Sequence, residues 1–479
     1  MKILFAAAEC APFFKTGGLG DVAGALPKEL KRQGADIRVV LPYHIQQMPE
    51  VYKEQLEDVA QFEVKVGWRK QFCGIKKLVK DAVTYYFIDN LYYFDRPGLY
   101  GFDDDGERFA FFSQAIIEML ERIDFIPDVL HVNDYHTAII PVLLKDKYQW
   151  IQAYQSIKTV LTIHNLQFQG IYDQIVLSDL FDIGYNAFHE HGLEYYGNVN
   201  FLKGGIFYAD LVTTVSPTYA QEIQTPAFGL GLEGVLRENS WKLKGILNGI
   251  DYDMLNPETD EWIAAHFSVD HLEGKKANKK ALQERVGLPV REDVPLMAMV
   301  SRLTEQKGCH LLEEKMNELM QRDIQVLILG TGEAQFEHSF NFFNSAYPEK
   351  FKAIIDFDIE LAQQIYAGSD LYIMPSAFEP CGLSQLNSLR YGTLPIVHET
   401  GGLKDTVQPY NEFTGEGTGF SFYDFNGQVM LETIDRALSV YYDQSKDWTT
   451  LVKTAMRQDF SWEKSTREYL DSYEQITEQ

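Results

Sequence analysis

Two successive trains of short apolar runs, each ending in glycine or polar residues and followed by a longer amphipathic stretch, leave this chain few ways to fold. Such alternation is the pattern of βα units wound into parallel sheets. In the first half Ile3–Ala8, Ile37–Leu41, Val129–His131, Thr159–Ile163 and Leu211–Val215 read as buried strands, each followed by helical periodicity. Between the second and third of these, Phe62–Val66, Lys76–Val79 and Val83–Ile88 read as an antiparallel excursion. The series restarts at Leu296–Val300 and continues with Val326–Leu329, Ala353–Phe357, Leu371–Met374 and Leu394–Val397. The charged segment Asp251–Asp293 has no strong strand, which puts the crossing between domains near Gly245–Ile250. The tail from Ser461 to Gln479 reads as one amphipathic helix with Trp462, Tyr469 and Tyr473 as packing residues.

A length of 479 residues is too great for one comfortable core, so the two series predict two α/β domains of doubly wound, Rossmann-like type, 1–245 and 246–460, followed by the helix 461–479. The formal charge of −26 argues against a nucleic-acid or acidic-membrane binder, so any anionic ligand requires a local basic pocket. Cys10, Cys73, Cys309 and Cys381 are far apart and suggest neither a zinc cluster nor a disulfide framework. The start MKILFAAAEC lacks the long apolar core of a signal peptide, and no stretch has the length and apolarity of a membrane span; the expectation is a cytoplasmic protein.

In doubly wound sheets ligands bind beyond the carboxyl ends of the strands, so a motif gains weight by sitting there. Lys15-Thr-Gly-Gly-Leu-Gly-Asp21 follows the first strand and precedes a helix read from Val22. Glycines admit a ligand to the backbone and Lys15 supplies charge, which suits phosphate; a tight turn needing glycine only for its backbone angles is the alternative. Ser301-Arg302-Leu-Thr-Glu-Gln-Lys307-Gly308 follows a second-half strand, where Arg302 and Lys307 can face one diphosphate; the alternative is a pair of surface cations. Gly330-Thr-Gly-Glu333 is a second Gly-rich turn. In Pro375–Gln385 the carboxylate of Glu379 stands beside Pro380, ahead of backbone N–H groups at Cys381, Gly382 and Leu383 and a helix read from about Leu386.

His131-Val-Asn-Asp134-Tyr-His136 and His164-Asn165-Leu-Gln-Phe-Gln169 lie at first-half strand ends, where His and Asp can bond sugar hydroxyls. Asp134 can equally cap the next helix, and His164 can be a core histidine. His131 and His136 are five apart, which does not suit a helical metal pair. Leu91–Gly98 is either an acceptor wall or ordinary packing.

Taken in order, KTGGLGD, HNLQFQG, TVSPTYAQEI, GILNGID, SRLTEQKG, GTGE, FEPCGLSQL and TGGLKDTV resemble the bacterial glycogen synthase and plant starch synthase family over nearly the whole chain. The resemblance implies a GT-B fold, two Rossmann-like domains facing a deep cleft with a C-terminal helix crossing back, the first domain on the acceptor side and the second on the nucleotide-sugar side. It implies a retaining hexosyltransferase that moves glucose from ADP-glucose to the non-reducing end of an α-1,4-glucan in glycogen biosynthesis, with no cofactor, metal, nucleic-acid or membrane partner. By resemblance Lys15 and Gly18 approach the donor phosphates and sugar, and Arg302 and Lys307 neutralise departing ADP. Asp134, His164 and Asn248 line the glucose and acceptor region, and Glu379 contacts the transferred glucose near Cys381, Gly382 and Leu383.

Gly330 belongs to the same donor set. One departure stands out: where many members carry Gly-Tyr beside adenine, this chain has Asp356-Phe357, which keeps a stacking face and lacks the hydroxyl. The competing readings are a retaining transferase using a UDP-sugar and a silent glucan-binding or regulatory protein of the same fold. Oligomeric state is not legible in the sequence.

Overall fold

A computed structural model describes residues 1–479, and the chain divides into two units, Met1–Leu247 with Trp462–Gln479 and Asn248–Ser461. The first unit contains β1 (Lys2–Ala6), β2 (Asp36–Pro42), β3 (Glu57–Val66), β4 (Arg69–Lys80), β5 (Val83–Asp89), β6 (Val129–Asn133), β7 (Lys158–Ile163), β8 (Ile171–Asp173), β9 (Glu194–Tyr195), β10 (Asn198–Asn200), β11 (Leu211–Thr214) and β12 (Leu243–Gly245). Nine of these form one sheet in the order β12-β11-β7-β6-β1-β2-β5-β4-β3, and β8-β10-β9 form a small separate one. Strands β1, β6 and β7 are near-continuous apolar runs because helices cover both faces of the sheet.

The expected antiparallel excursion is present and is joined to the main sheet through β5. β3 pairs antiparallel with β4 and β4 with β5, while β5 lies parallel to β2, Val40 opposite Tyr86, so β4 alone runs against the sheet. These strands therefore extend the main sheet, and the exposed alternation along β3 is that of its edge. The C-terminal helix Trp462–Thr477 belongs to this unit: Tyr469 and Tyr473 are fully buried, and the Tyr473 hydroxyl lies 2.6 Å from Nδ1 of His131. Nε2 of His131 meets Thr162 Oγ1 at 2.6 Å, which in turn meets Thr213 Oγ1 at 2.6 Å, so a buried polar chain ties the helix to β6, β7 and β11.

The second unit contains β13 (Leu296–Val300), β14 (Gln325–Leu329), β15 (Phe351–Ile354), β16 (Leu371–Met374), β17 (Leu394–His398) and β18 (Phe420–Phe422). All are parallel, in the order β15-β14-β13-β16-β17-β18, which read from the first strand is the doubly wound order 3-2-1-4-5-6. The strand expected over Ala353–Phe357 is displaced: β15 ends at Ile354, and Phe357 lies beyond it, 81% exposed. The helix after the glycine loop starts at Gly18 rather than Val22, and the helix after Glu379 starts at Ser384 rather than Leu386.

Candidate active site

Each sheet has a switch point where the strand order reverses, beside β1 and β6 in the first unit and beside β13 and β16 in the second. The candidate residues emerge there. After β1, the buried Glu9 carboxylate accepts hydrogen bonds from the N–H groups of Thr16 and Gly17 and so clamps the glycine loop. Burial raises the Glu9 pKa against the pull of those donors. Lys15 pairs with Asp21 at 2.6 Å in a largely exposed position.

The loop's glycines differ in kind. A Cβ on Gly20 would stand 2.5 Å from Lys15 Cβ, so that position is closed by packing. A Cβ on Gly17 or Gly18 would meet no protein atom within 4 Å, and Gly17 has an extended φ of −161° that any residue adopts. Neither backbone angle nor packing explains these two glycines, which disposes of the tight-turn alternative at Gly17 and Gly18 and leaves open space at a helix N-terminus.

After β6, Asp134 takes φ +57°, a left-handed conformation uncommon outside glycine. Its Oδ1 accepts from the backbone N–H of His164 at 2.7 Å and of Asn165 at 3.3 Å, so it bridges two strand ends instead of capping the next helix. Burial pushes its carboxyl up to about 7. Asn133 donates through Nδ2 to the Ala6 carbonyl at 2.9 Å, which turns its Oδ1 towards Nε2 of His164 at 2.9 Å. His164 must therefore donate from Nε2, and its Nδ1 is a buried acceptor without a partner. Burial lowers its pKa to about 3, so the ring is neutral.

The sequence brought Asp134 and His164 to this edge, and the structure adds Glu9 and Asn133. His131, in contrast, is fully buried in the tyrosine chain described above. In the segment Leu91–Gly98, Tyr93 and Phe94 are core residues and Tyr92 is exposed.

In the second unit a cavity of about 160 Å³ sits at the switch point, lined by Ser301, Arg302 and Lys307 after β13 and by Met374 and Ser376 at the end of β16. The Arg302 guanidinium is exposed and makes no hydrogen bond or ion pair. Lys307 pairs with Glu379 at 2.8 Å, and Ser376 Oγ donates to the same Glu379 oxygen at 3.0 Å. The Glu379 side chain is buried, held from two sides, and its loop is fixed by Ala377 N–H donating to Gln306 O at 2.8 Å.

Gly402 lies against this loop, its N–H donating to the Glu379 and Pro380 carbonyls; a Cβ there would stand 2.0 Å from the Cys381 carbonyl oxygen. The Thr400-Gly-Gly turn is thus part of the site's frame. Its signal in the sequence was the double glycine at a strand end. Gly330 has a packing reason instead of an open one, since a Cβ would meet Ser301 O at 1.8 Å; this turn supports the Arg302 loop. Burial raises the Cys381 thiol to about 12 against the opposing pull of a hydrogen bond with the Asn248 backbone, which leaves the backbone as this segment's usable chemistry. Asn248 is buried with Oδ1 unpartnered. Gly382 takes φ +76° and Leu383 is the residue before the helix. Phe357 does not line the cavity.

The chain matches the model of the starch synthase catalytic domain over residues 2–238 and that of glycosyl transferases group 1 over residues 281–450. It is 62% identical to the glycogen synthase of Ligilactobacillus salivarius over 477 residues, covering 99% of this chain and all of that one. It is 56% identical to the glycogen synthase of Streptococcus sanguinis over 476 residues, with 99% and 100% covered. Among solved structures it is similar to the catalytic domain of starch synthase IV from Arabidopsis thaliana bound to ADP and acarbose, with TM-score 0.89, 32% identity and 100% and 99% of the two chains covered. A sucrose-phosphate synthase from Thermosynechococcus elongatus shares the fold at TM-score 0.61 and 16% identity, over 99% and 98% of the chains. With two doubly wound units of GT-B type and relatives this near over its full length, the chain belongs to the glycogen synthase family of glycosyltransferases.

Proposed function

We propose that the chain transfers glucose from ADP-glucose to the non-reducing end of an α-1,4-glucan with retention of configuration, as a cytoplasmic glycogen synthase. The observation that carries this reading is the unpaired Arg302 beside Lys307 at the second unit's switch point, in a protein of net charge −26. Two cations there can hold a diphosphate and stabilise the charge that develops on it as the glycosidic bond breaks. Gly17 and Gly18 supply open backbone for phosphate or sugar, and Lys15 supplies a further charge.

Glu379 acts by position. Its carboxylate is bound by Lys307 and Ser376, and its task is to receive sugar hydroxyls and steady an oxocarbenium-like centre rather than to attack it. Neutral His164 offers the bare Nδ1 to a hydroxyl donor, and Asp134 fixes its backbone. Asn248 offers its unpartnered Oδ1 in the same way. With the protein's carboxylates so engaged, the departing diphosphate takes the acceptor's proton. Cys381, Gly382 and Leu383 present backbone groups, and Phe357 offers a ring face to the nucleobase.

The test is release of ADP or UDP when the protein meets glycogen and each glucose donor, with Glu379→Ala and Lys15→Ala run alongside. Glucan growth from ADP-glucose that collapses in both variants is the expected result. Transfer only from UDP-glucose, or none, overturns the assignment, and a glucosyl adduct on Glu379 in intact mass overturns the mechanism.

A further inference from the structure

His398 is the last residue of β17, whose neighbours in the sheet are β16 and β18. It sits at the edge where the loop carrying Ser376 and Glu379 leaves β16, with Val397 opposite Met374 on one side and His398 opposite Phe422 on the other. The residue is 7% exposed and both ring nitrogens are engaged: Nδ1 lies 2.6 Å from the Ser376 carbonyl oxygen and Nε2 lies 3.1 Å from that of Tyr423.

Backbone carbonyls accept and never donate. A ring with a single proton therefore bonds one of the two and turns a lone pair on the other, whereas a ring with a proton on each nitrogen bonds both. The rings of Phe422 and Phe425 have their centroids 5.6 and 5.1 Å from that of the imidazole, within the range at which an aromatic ring attracts a cation. Besides Tyr423 itself, the charged and titratable groups on the surrounding elements are Glu379 and Lys307 beyond Ser376, Asp424 after β18, Arg436 bonded to Ser421 O, Glu399 bonded to the Ser421 hydroxyl, and His310, whose ring is 5.5 Å from that of Phe425.

The same strand end holds the far side of the loop. After His398, the Thr400-Gly-Gly turn gives the Gly402 N–H to the Glu379 carbonyl at 3.1 Å and the Pro380 carbonyl at 3.0 Å. The loop is thus fixed at both ends from β17, and between those ends Ser376 Oγ donates to the Glu379 carboxylate. We propose that His398 is a positioning residue for Glu379: with a proton on each ring nitrogen it ties the Ser376 carbonyl to the segment after β18 and so sets the carboxylate's place, and on losing one proton it releases one of the two ties. This rests on the function proposed above.

The experiment compares wild type with His398→Phe, which keeps a ring in the same space and offers no N–H. The kcat for transfer from ADP-glucose is followed against pH, and amide exchange of the peptide 375–383 is read by mass spectrometry relative to the peptide spanning β13. We expect kcat about tenfold lower in the variant, the scale of one charge-assisted hydrogen bond, with the ratio of the two proteins falling towards one as pH rises, since only the histidine has a second proton to lose. The peptide 375–383 should exchange about tenfold faster in the variant, and in wild type alone its rate relative to β13 should rise with pH, a measurement that stands without the variant. A kcat ratio that stays constant with pH overturns the proposal, as does equal exchange of the peptide in both proteins or a wild-type exchange ratio that pH does not move. Exchange needs no turnover, so failure of the donor assignment is read separately in the nucleotide-release assay and leaves the exchange result to decide the role of His398.

Discussion

Adding a methyl group at Gly18 separates a substrate surface from a folding constraint. A Cβ there meets no protein atom within 4 Å, and Gly18 is the first residue of the helix Gly18–Arg32. Replacing glycine by alanine in a helix stabilises by roughly 0.5–1 kcal/mol where the backbone allows it. For a unit of this size each kcal/mol moves the melting temperature by roughly 2–4 °C. Gly18→Ala should therefore melt at the wild-type temperature or up to about 4 °C higher.

Its activity should move the other way. A methyl placed where phosphate or sugar approaches the backbone displaces the donor by about its own radius, and misplacement of about 1 Å can cost roughly 100-fold in rate. The comparison is Gly20→Ala, whose Cβ would lie 2.5 Å from Lys15 Cβ and 3.1 Å from Glu9 Oε2, so that stability and activity should fall together. The assay is thermal melting beside kcat/KM for ADP-glucose. A Gly18→Ala protein with wild-type kcat/KM would show that the open space is not substrate space, and the reading of the glycine loop would fail.

Arg302→Ala should leave stability unchanged, since the guanidinium has no partner, and lower kcat by about 10²–10³ as one preorganised charge is removed; a melting temperature that falls instead would refute its free state. Tyr473→Phe strands Nδ1 of buried His131 and should destabilise the first unit by about 1–3 kcal/mol in urea titration. Burial holds His44, His131, His136 and His164 neutral, each with a pKa of about 3. Their folded pKa lies below the unfolded value, so the stability they allow is present above pH 6.5 and lost as pH falls, about 2 kcal/mol each by pH 5. Asp134 works oppositely: its carboxyl, up at about 7, destabilises as pH rises from about 4 to 7 and offsets about 2 kcal/mol of the acid loss. Net, the first unit should lose stability steeply between pH 6.5 and 5 in denaturation followed against pH, and Asp134→Asn should gain on wild type as pH rises through that range and stay level above about 7. A flat profile would refute the neutral-histidine assignment.

The βα alternation, the two sheets and the C-terminal helix were legible because parallel strands covered on both faces must be continuous apolar runs, whatever surrounds them. So were Lys15, Arg302, Lys307 and Glu379, since charged or glycine-rich segments just past a buried strand are confined to one edge of the sheet. Asn133 and Gly402 were not, because what singles them out is a partner from a different strand end, and pairing across a sheet leaves no periodic trace in sequence; nor were Glu9 and Ser376, whose partners Thr16, Gly17 and Glu379 lie in the same loop and are met only through its folded path. The same limit hid the packing at Gly330 and the partner of His131: one glycine looks like another until a neighbouring carbonyl stands 1.8 Å from its missing Cβ, and a strand-end histidine looks available until a tyrosine 342 residues away closes on it. Composition and periodicity thus set which elements form and where their ends lie, because those depend on local backbone preference and on burial of each face. Which side chains at those ends are free for a substrate was decided only by tertiary packing, through contacts between residues far apart in the chain.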